Sequence, residues 1–401
     1  MSTGSMYPQL LLEAGARVTE IATTRARALG RLPEPLPGVE RRIEVASQVN
    51  PTDLAQRCRK WGVDRVVAGS EPGVPLSLRL SAALGLPVPR RPRPLYDKTA
   101  MMEALAAAGV PNLAFQTLRS VKDGKAFFDG FDFESGSLVL KPAVGAGSVG
   151  VVKVSSAKAA ADSLTSSLGR ANVFGERVQS VLAQEYCAGE EHVVDTFSHN
   201  GVHTVANVCA YRKTLTPDGR FVYRGLRWLA PGDQSVPTVS AYACKVLDAV
   251  GLRDGCAHLE IMLRGDSPFL IELGARAHGA SHPAKTYRLT GDSQVHRDVA
   301  YLASHTLPDA GYALKRRGRI VFFSRSQAST VTALSPQSAF ANLPGMESLV
   351  LHVAAGDSVA ATRDLFDSLK LGMCFLTGSS EEDLDRREQD AHAAFGSIFA
   401  D

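Results

Sequence analysis

The chain is short of the features that mark several large protein classes. Its six cysteines (Cys58, Cys187, Cys209, Cys244, Cys256 and Cys374) lie far apart with no Cys-x-x-Cys pair, so they read as reduced thiols in a cytoplasm. No uninterrupted apolar run reaches the roughly 20 residues that cross a bilayer, and the N-terminus lacks the charged-then-apolar pattern of a secretory signal. A cytoplasmic protein with no membrane partner is expected. An excess of one charge is missing too. Lys and Arg total 44 against 41 Asp and Glu, a net +3, and the basic residues are scattered, so composition offers no footprint for nucleic acid. Internal repeats and low-complexity tracts are absent. What remains is 401 residues, 45% hydrophobic and 21% charged, enough for two or three domains with ample core.

The most informative stretch is residues 257–279, AHLEIMLRGDSPFLIELGARAHG. AHLEIML and PFLIELG each alternate apolar and polar residues, the period of a half-buried strand. Gly265-Asp266-Ser267 between them is turn chemistry, which predicts a hairpin with a three-residue loop. Folding about Asp266 sets Arg264 opposite Pro268, Met262 opposite Leu270, Glu260 opposite Glu272 and His258 opposite Gly274. Opposed residues share a face with Cβ atoms roughly 5 Å apart, and like charges so placed repel. Two carboxylates there ask for a cation. With no cysteine nearby they suit a hard ion bound through oxygen, Mg²⁺ above all, with phosphate completing its shell. Arg276 follows, a planar donor suited to a carboxylate or phosphoryl group. The competing reading makes Glu260 and Glu272 a solvated outer face; their shared register with Arg276 nearby favours the cation.

Residues 1–95 alternate helical and strand patterns and predict an open parallel sheet with flanking helices. Residues 7–14 read as a helix ended by Gly15 and 17–23 as a strand. A connection through Pro33, Pro35 and Pro37 then leads to a helix capped by Asn50 with Pro51 first. Residues 63–68 read as a buried strand and 74–84 as a helix stopped by Gly85. A helix comes first, where a doubly wound sheet normally opens with a strand. Residues 87–94 (PVPRRPRP) form a stiff basic linker and a boundary. Asp97 caps a helix from Lys98.

Residues 138–154 (LVLKPAVGAGSVGVVKV) contain Gly145-x-Gly147-x-x-Gly150, a literal GxGxxG. A dinucleotide fingerprint needs a helix after the loop, and VGVVKV is strand-like instead. A Walker loop needs Lys-Ser/Thr, which is absent, and no HRD or DFG sequence supports a kinase. What is left is a strand, a glycine flap and a strand, whose backbone N–H groups close over phosphates, with Lys141 on the leading strand. An ordinary hairpin turn is the plainer reading of the glycines, and Lys141 weighs against it. Further strands are expected at 180–186, from 189, at 204–211 and at 220–229. Helices are expected at 240–250 and 290–304, then a smaller β-rich unit ending in an acidic helix over 380–395. His278 and His282 stand four apart, but Gly279 and Pro283 argue against one helical zinc face.

In this order the motifs resemble the ATP-grasp ligases: the Asp97-Lys98 helix, Lys141 with its flap, Gln184-Glu185-Tyr186-Cys187 with Gly189-x-Glu191, then Glu260 and Glu272-x-Gly274-x-Arg276. The resemblance covers nearly the whole chain and implies an α/β ATP-grasp fold. It divides the chain into a Rossmann-like pre-ATP-grasp domain (1–95), an ATP-grasp domain (96–310) and a small β-rich C-terminal subdomain (311–401). Within the middle domain a flap-bearing lobe spans about 115–183 and a metal-binding lobe about 184–310. Carried over by residue, it implies that Lys98 and Lys141 contact ATP phosphates beneath a flap of Gly145, Ala146, Gly147 and Ser148. Glu185, Tyr186 and Cys187 would hold adenine and Glu191 the ribose. Glu260 and Glu272 would bind Mg²⁺, or Mn²⁺ in its place. Arg276 would stabilise an acyl phosphate and the tetrahedral state after it, with His258 beside it. His278, Gly279, His282 and Arg212 are the candidates for contacting substrate, and His258, His278 and His282 for taking the amine's proton.

The family pattern is Glu-x-Asn-x-Arg, and this chain has Gly274 in place of the asparagine. That leaves part of the ion's shell to water or to His258 acting from behind the ligands. The segments Ser70-Glu71-Pro72-Gly73-Val74, Tyr211-Arg212-Lys213, Gly255-Cys256-Ala257-His258 and Glu272-Leu273-Gly274-Ala275-Arg276 look most like stand-alone amino-acid ligases, the dipeptide synthases of secondary metabolism. The implied activity joins an amino-acid carboxylate to an amine through an acyl phosphate, releasing ADP and phosphate. The resemblance leaves oligomeric state open, with a homodimer as the common arrangement. Two alternatives stand beside it. One is a purine-pathway type ligase or carboxylase acting on a ribonucleotide, for which no Gly-rich turn near the N-terminus supplies a phosphate pocket. The other is a non-catalytic nucleotide-binding protein, encouraged only by Gly274.

Overall fold

The computed structural model describes residues 6–23, 36–46 and 49–399; residues 2–5, Pro33 and Pro35 lie outside them. The N-terminal region holds α1 (Met6–Glu13), β1 (Thr19–Thr23), β2 (Arg41–Val45), α2 (Pro51–Lys60) and α3 (Val74–Leu84). Asn50 caps α2 by accepting the Thr52 N–H at 3.0 Å, with Pro51 in the first turn. Gly85 ends α3 in the left-handed conformation, φ 80°, which only glycine adopts without strain. Among the described residues β1 and β2 form a two-stranded parallel ladder. The strand expected at 63–68 is not one: residues 63–69 run along the cleft without joining that ladder. Arg65 ties the segment across the molecule to buried Asp298, at 3.0 Å.

After the linker come α4 (Lys98–Ala107), β3 (Phe115–Leu118), α5 (Val121–Asp129), β4 (Leu138–Pro142), β5 (Val152–Val154), α6 (Ala157–Ser167) and β6 (Val181–Glu185). Asp97 caps α4 by accepting the Thr99 and Ala100 N–H groups at 2.9 and 3.1 Å. The four strands make an antiparallel sheet in the order β3-β6-β4-β5. Phe128 and Leu164 from its helices pack on Leu118, Leu138 and Leu140.

The remaining elements are β7 (Glu190–His199), β8 (Val202–Leu215), β9 (Phe221–Trp228), α7 (Val236–Val250), β10 (Gly255–Arg264), β11 (Ser267–Gly274), α8 (His282–Thr290), α9 (Gln294–Ser304), β12 (Arg317–Phe322), β13 (Ser329–Thr330), β14 (Met346–Leu351), β15 (Ser358–Val359), α10 (Leu365–Leu371), β16 (Gly372–Gly378) and α11 (Glu381–Gly396). Eight of these strands form one antiparallel sheet, β11-β10-β7-β8-β9-β12-β16-β14. The largest core cluster packs α4 and α7 against this sheet through Met101, Met102, Leu105, Val239, Ala243 and Leu259. The helix expected at 290–304 is α9, which starts a few residues later, and α8 before it is an addition to the sequence expectation. Gly291, at φ 81°, closes α8, and Ser293 restarts the chain as the N-cap of α9.

The β10–β11 hairpin differs from expectation at its tip and agrees at its base. Its turn has two residues, Gly265 (φ 60°) and Asp266, so Arg264 pairs with Ser267 and Met262 with Phe269. A glycine with positive φ in first place is the mark of a II′ turn. A bulge then leaves Ile271 unpaired between Leu270 and Glu272, which restores Glu260 opposite Glu272 and His258 opposite Gly274. One residue too few in the turn and one too many in the strand cancel.

Candidate active site

The bulge does more than correct register. Its Ile271 carbonyl, turned out of the ladder, accepts from Lys141 Nζ at 3.2 Å, and Gln184 Oε1 accepts from the same ammonium at 2.7 Å. Lys141 projects from β4 and is buried. Burial outweighs its carboxylate neighbours and, with Lys98 nearby, lowers its pKa to about 8. Lys98, the first residue of α4, bonds Glu272 Oε1 at 2.9 Å and donates to the Gly145 carbonyl at 3.1 Å. Burial opposes its charge too, yet Glu272, Glu71 and Glu260 hold its pKa above the usual lysine value. A lysine against the positive end of a helix is unfavourable unless carboxylates compensate it, and here they do.

Glu260 lies opposite Glu272 and 3.7 Å from Lys213, which also pairs with Glu191 at 2.5 Å. Burial first, then the carboxylates of Glu191 and Glu272, push the Glu260 carboxyl up to about 8 against the pull of Lys213. Its negative charge is under-compensated by the side chains around it. An all-oxygen donor set left in that condition fits a hard divalent cation.

The flap loop holds Gly147 at φ 65° and Ser148 at φ 61°. It rests on the C-terminal region: the Leu365 N–H donates to the Gly147 carbonyl at 3.3 Å, and a Cβ on Gly147 would lie 2.4 Å from the Phe366 ring. Ser148 Oγ is 3.3 Å from the Tyr223 hydroxyl. Ala146, Gly147 and Ser148 border a cleft of about 1,380 Å³ that also meets Tyr211, His258, Glu260, Glu272, Arg276, His278, Gly279 and His282. Gly145 stands behind them on Lys98.

Glu185, Tyr186 and Cys187 lie outside that cleft, at the end of β6. Glu185 pairs with Arg264 at 2.8 Å, the Tyr186 N–H donates to the Ser137 carbonyl at 2.9 Å, and Lys153 lies over the Tyr186 ring at 3.9 Å. Cys187 is buried, which raises its thiol pKa.

On the other side Arg276 Nε meets Glu71 Oε2 at 2.6 Å. Glu71 lies in a short 3₁₀ turn just before α3, so the N-terminal region reaches into the site. His258 faces Gly274 so closely that a Cβ there would lie 2.2 Å from its Cε1 and 2.7 Å from its Nδ1. The imidazole occupies the room in which a larger residue 274 would begin. Burial, Arg276 and His278 hold His258 well below the ordinary histidine pKa.

Beyond it stand three stacked imidazoles, His258 on His278 (5.2 Å) and His278 on His282 (4.0 Å), with Trp228 closing the column on His282 at 4.7 Å. Buried Asp195 on β7 lies 3.3 Å from His278 Nδ1 and 3.1 Å from His282 Nδ1. Burial opposes its charge, but the two histidines hold its carboxyl far below the usual range. Burial and His278 bring His282 down to about 4. Potential ligand atoms of Asp195, His278 and His282 lie within 4.8 Å of one another. The two rings are only 21° from parallel, however, so their in-plane lone pairs run side by side instead of converging on an ion.

Arg212 is the candidate that the structure takes out of the cleft. Glu191 pairs with Tyr211 across β7 and β8, and cross-strand partners share a face. Tyr211 and Lys213 therefore face the site, while Arg212 points to the opposite face and pairs with Glu388 of α11. Lys213, Glu71, Tyr211 and Asp195 are site residues to which the sequence assigns no role. The alternation along β8, set against Glu191, was the available signal for Lys213; nothing local marks Glu71.

The architecture is the ATP-grasp fold, residues 135–282 match the family model described as "ATP-grasp domain", and the chain resembles ligases of that kind, amino-acid ligases among them. Among the proteins it resembles is dapdiamide A synthase of Enterobacter agglomerans, 28% identical over 331 residues, covering 80% of this chain and 76% of that protein. An L-amino acid ligase from Bacillus licheniformis superposes with a TM-score of 0.74 at 17% identity, covering 98% of this chain and 95% of that one. The N5-carboxyaminoimidazole synthetase of Staphylococcus aureus, complexed with ADP, has the same fold with a TM-score of 0.64 at 13% identity, covering 99% and 95%. No helix among the described residues is long and apolar enough to cross a membrane.

Proposed function

We propose that this protein joins an amino-acid carboxylate to an amine, forming an amide through an acyl phosphate and converting ATP to ADP and phosphate. The observation that carries this reading is the pair of opposed carboxylates, Glu260 and Glu272, with the buried ammonium groups of Lys98 and Lys141 placed above them. Glu260 and Glu272 would hold Mg²⁺, or Mn²⁺; the ion supplies charge neutralisation to the transferring phosphoryl group. Lys98 and Lys141 receive phosphate oxygens beneath the Gly145–Ser148 flap. His258, Glu260, Met262 and Arg264 alternate along one face of β10, and four residues of strand span about 13–14 Å. The distance from Glu260 to the Arg264–Glu185 pair thus suits a nucleotide laid along the strand, with adenine against residues 185–187 and ribose near Glu191.

Phosphoryl transfer asks little covalent chemistry of the protein, so the residues act by position and charge. A substrate carboxylate in the wide cleft attacks the γ-phosphorus, and Arg276, released from Glu71, neutralises the acyl phosphate and the oxyanion after it. The flap, seated on Phe366, keeps water from the acyl phosphate. His278, Gly279 and His282 wall the acceptor side. The same reading divides the chain near residues 95 and 310, with the last unit continuing the large sheet, and places the protein in the cytoplasm as a catalyst of small molecules. The likeness to dapdiamide A synthase supports an amide product.

The test is an ATP-consumption screen over pairs of amino acids with products read by mass spectrometry. ADP together with a condensed product is expected. AMP and pyrophosphate would overturn the acyl-phosphate route.

A further inference from the structure

If the protein is an amide-forming ligase, on which this inference rests, its site must handle protons. An α-amine is largely ammonium near neutral pH, and it must lose a proton before its lone pair can attack the acyl carbon. Attack forms the C–N bond. Collapse breaks the bond from that carbon to the phosphate oxygen, the phosphate leaves with the electron pair, and a second proton leaves the nitrogen with it.

Four histidines border the cleft; His352 is exposed just past the end of β14, and the surroundings of the other three separate them. His258 has a buried Nδ1 with no hydrogen-bond partner and its ring wedged against Gly274. His282 is 1% exposed, between His278 and the Trp228 ring. His278 alone joins a buried carboxylate to a hydroxyl that lines the cleft. Its Nδ1 lies 3.3 Å from both Asp195 oxygens, its Nε2 lies 3.0 Å from the Tyr211 hydroxyl, and its backbone N–H donates to Gln294 Oε1 at 3.0 Å. A carboxylate only accepts, so His278 carries its proton on Nδ1 and its lone pair on Nε2. The Tyr211 O–H must then donate to Nε2, which leaves the phenol oxygen's lone pairs turned to the cleft.

We propose that Tyr211, His278 and Asp195 form the proton relay that deprotonates the attacking amine. The amine's proton passes to the Tyr211 oxygen as that hydroxyl gives its own proton to His278 Nε2, and Asp195 holds the resulting imidazolium. Tyr211 and His278 are the catalytic members and Asp195 the positioning residue. The other titratable groups stacked on His278 are His282 from α8 and His258 from β10, and Arg276 acts on His258. None of them offers a second acceptor on the cleft side.

The experiment compares two nucleophiles on the same acyl phosphate. Hydroxylamine is largely unprotonated near neutral pH and needs no base, whereas an amino acid does. His278→Gln should lower amide formation by about 100-fold or more and hydroxamate formation by a much smaller factor, and its amide rate should climb with pH as free amine appears. Tyr211→Phe, which keeps the ring, should show the same split, and Asp195→Asn should show it through loss of the Nδ1–H tautomer. An equal fall with both nucleophiles, or an amide deficit that is the same at every pH, would overturn the relay. If the parental protein forms neither hydroxamate nor ADP with any carboxylate, the ligase reading itself falls and takes the relay with it.

Discussion

The contact between His258 and Gly274 can be tested by a single methyl group. In Gly274→Ala the new Cβ would lie 2.2 Å from His258 Cε1, 2.7 Å from Nδ1 and 3.2 Å from Nε2, where ordinary contact needs about 3.5–4.0 Å. The ring must withdraw by more than an ångström, toward the His278 ring stacked 5.2 Å away. Overpacking of this kind costs about 1–3 kcal/mol, while replacing a strand glycine returns about 0.5–1 kcal/mol. The expected net loss is about 0–2.5 kcal/mol in urea unfolding, with weaker Mg²⁺–ATP binding because Glu260 and Glu272 flank the displaced ring. His258→Ala opens the space, so the double variant should be more stable than the sum of the two singles by about 0.5–3 kcal/mol, the coupling of residues in contact. A Gly274→Ala protein as stable as the parent, with no coupling to His258→Ala, would refute the claim that this ring fills the position.

Two further outcomes follow from the phosphate side of the site. The Lys141 pKa of about 8 lies below its unfolded value, so the unfolded chain binds more protons above pH 8 and this group's contribution to stability rises with pH between about 8 and 10.4. Nucleotide phosphates favour the charged form, so calorimetry should show ATP affinity falling by up to about tenfold per pH unit above 8. Lys141→Arg should flatten that slope, and a parental affinity independent of pH would contradict it. Phe366→Ala removes the ring beneath Gly147; the KM for ATP should rise several-fold, with ADP released in excess of amide, and tight coupling in that variant would show that the flap does not need this seat.

The parts of this site legible in sequence were those fixed by local pattern. Alternation set Glu260 opposite Glu272, the Asn50 and Asp97 caps gave their helix starts, and the absence of a helical pattern after Gly150 ruled out a dinucleotide loop. The hairpin pairing was right at its base for a reason the pattern does not carry, since the two-residue turn and the Ile271 bulge offset each other. What escaped is non-local. Arg212 and Lys213 are chemically alike neighbours, and only the pairing of β8 with β7 decides which meets the site. Glu71 reaches Arg276 across more than two hundred residues, and Asp195 meets His278 across the sheet. The strand expected at 63–68 is absent from the ladder of β1 and β2, and its Arg65 is held instead by Asp298, far along the chain.

The bulge in β11 also determines where this enzyme can change length. Gly265 and Asp266 are exposed at the tip of the hairpin, so added residues there extend into solvent and leave the paired glutamates alone. Residue 271 has no such freedom. Deleting it would let the ladder run on without a bulge, with Glu272 still opposite Glu260, but it would remove the carbonyl on which Lys141 rests. Length variation among relatives with this architecture should therefore collect at the turn and stop short of the strand, because the backbone oxygen that the extra residue turns out of the ladder seats the ammonium opposite the carboxylates.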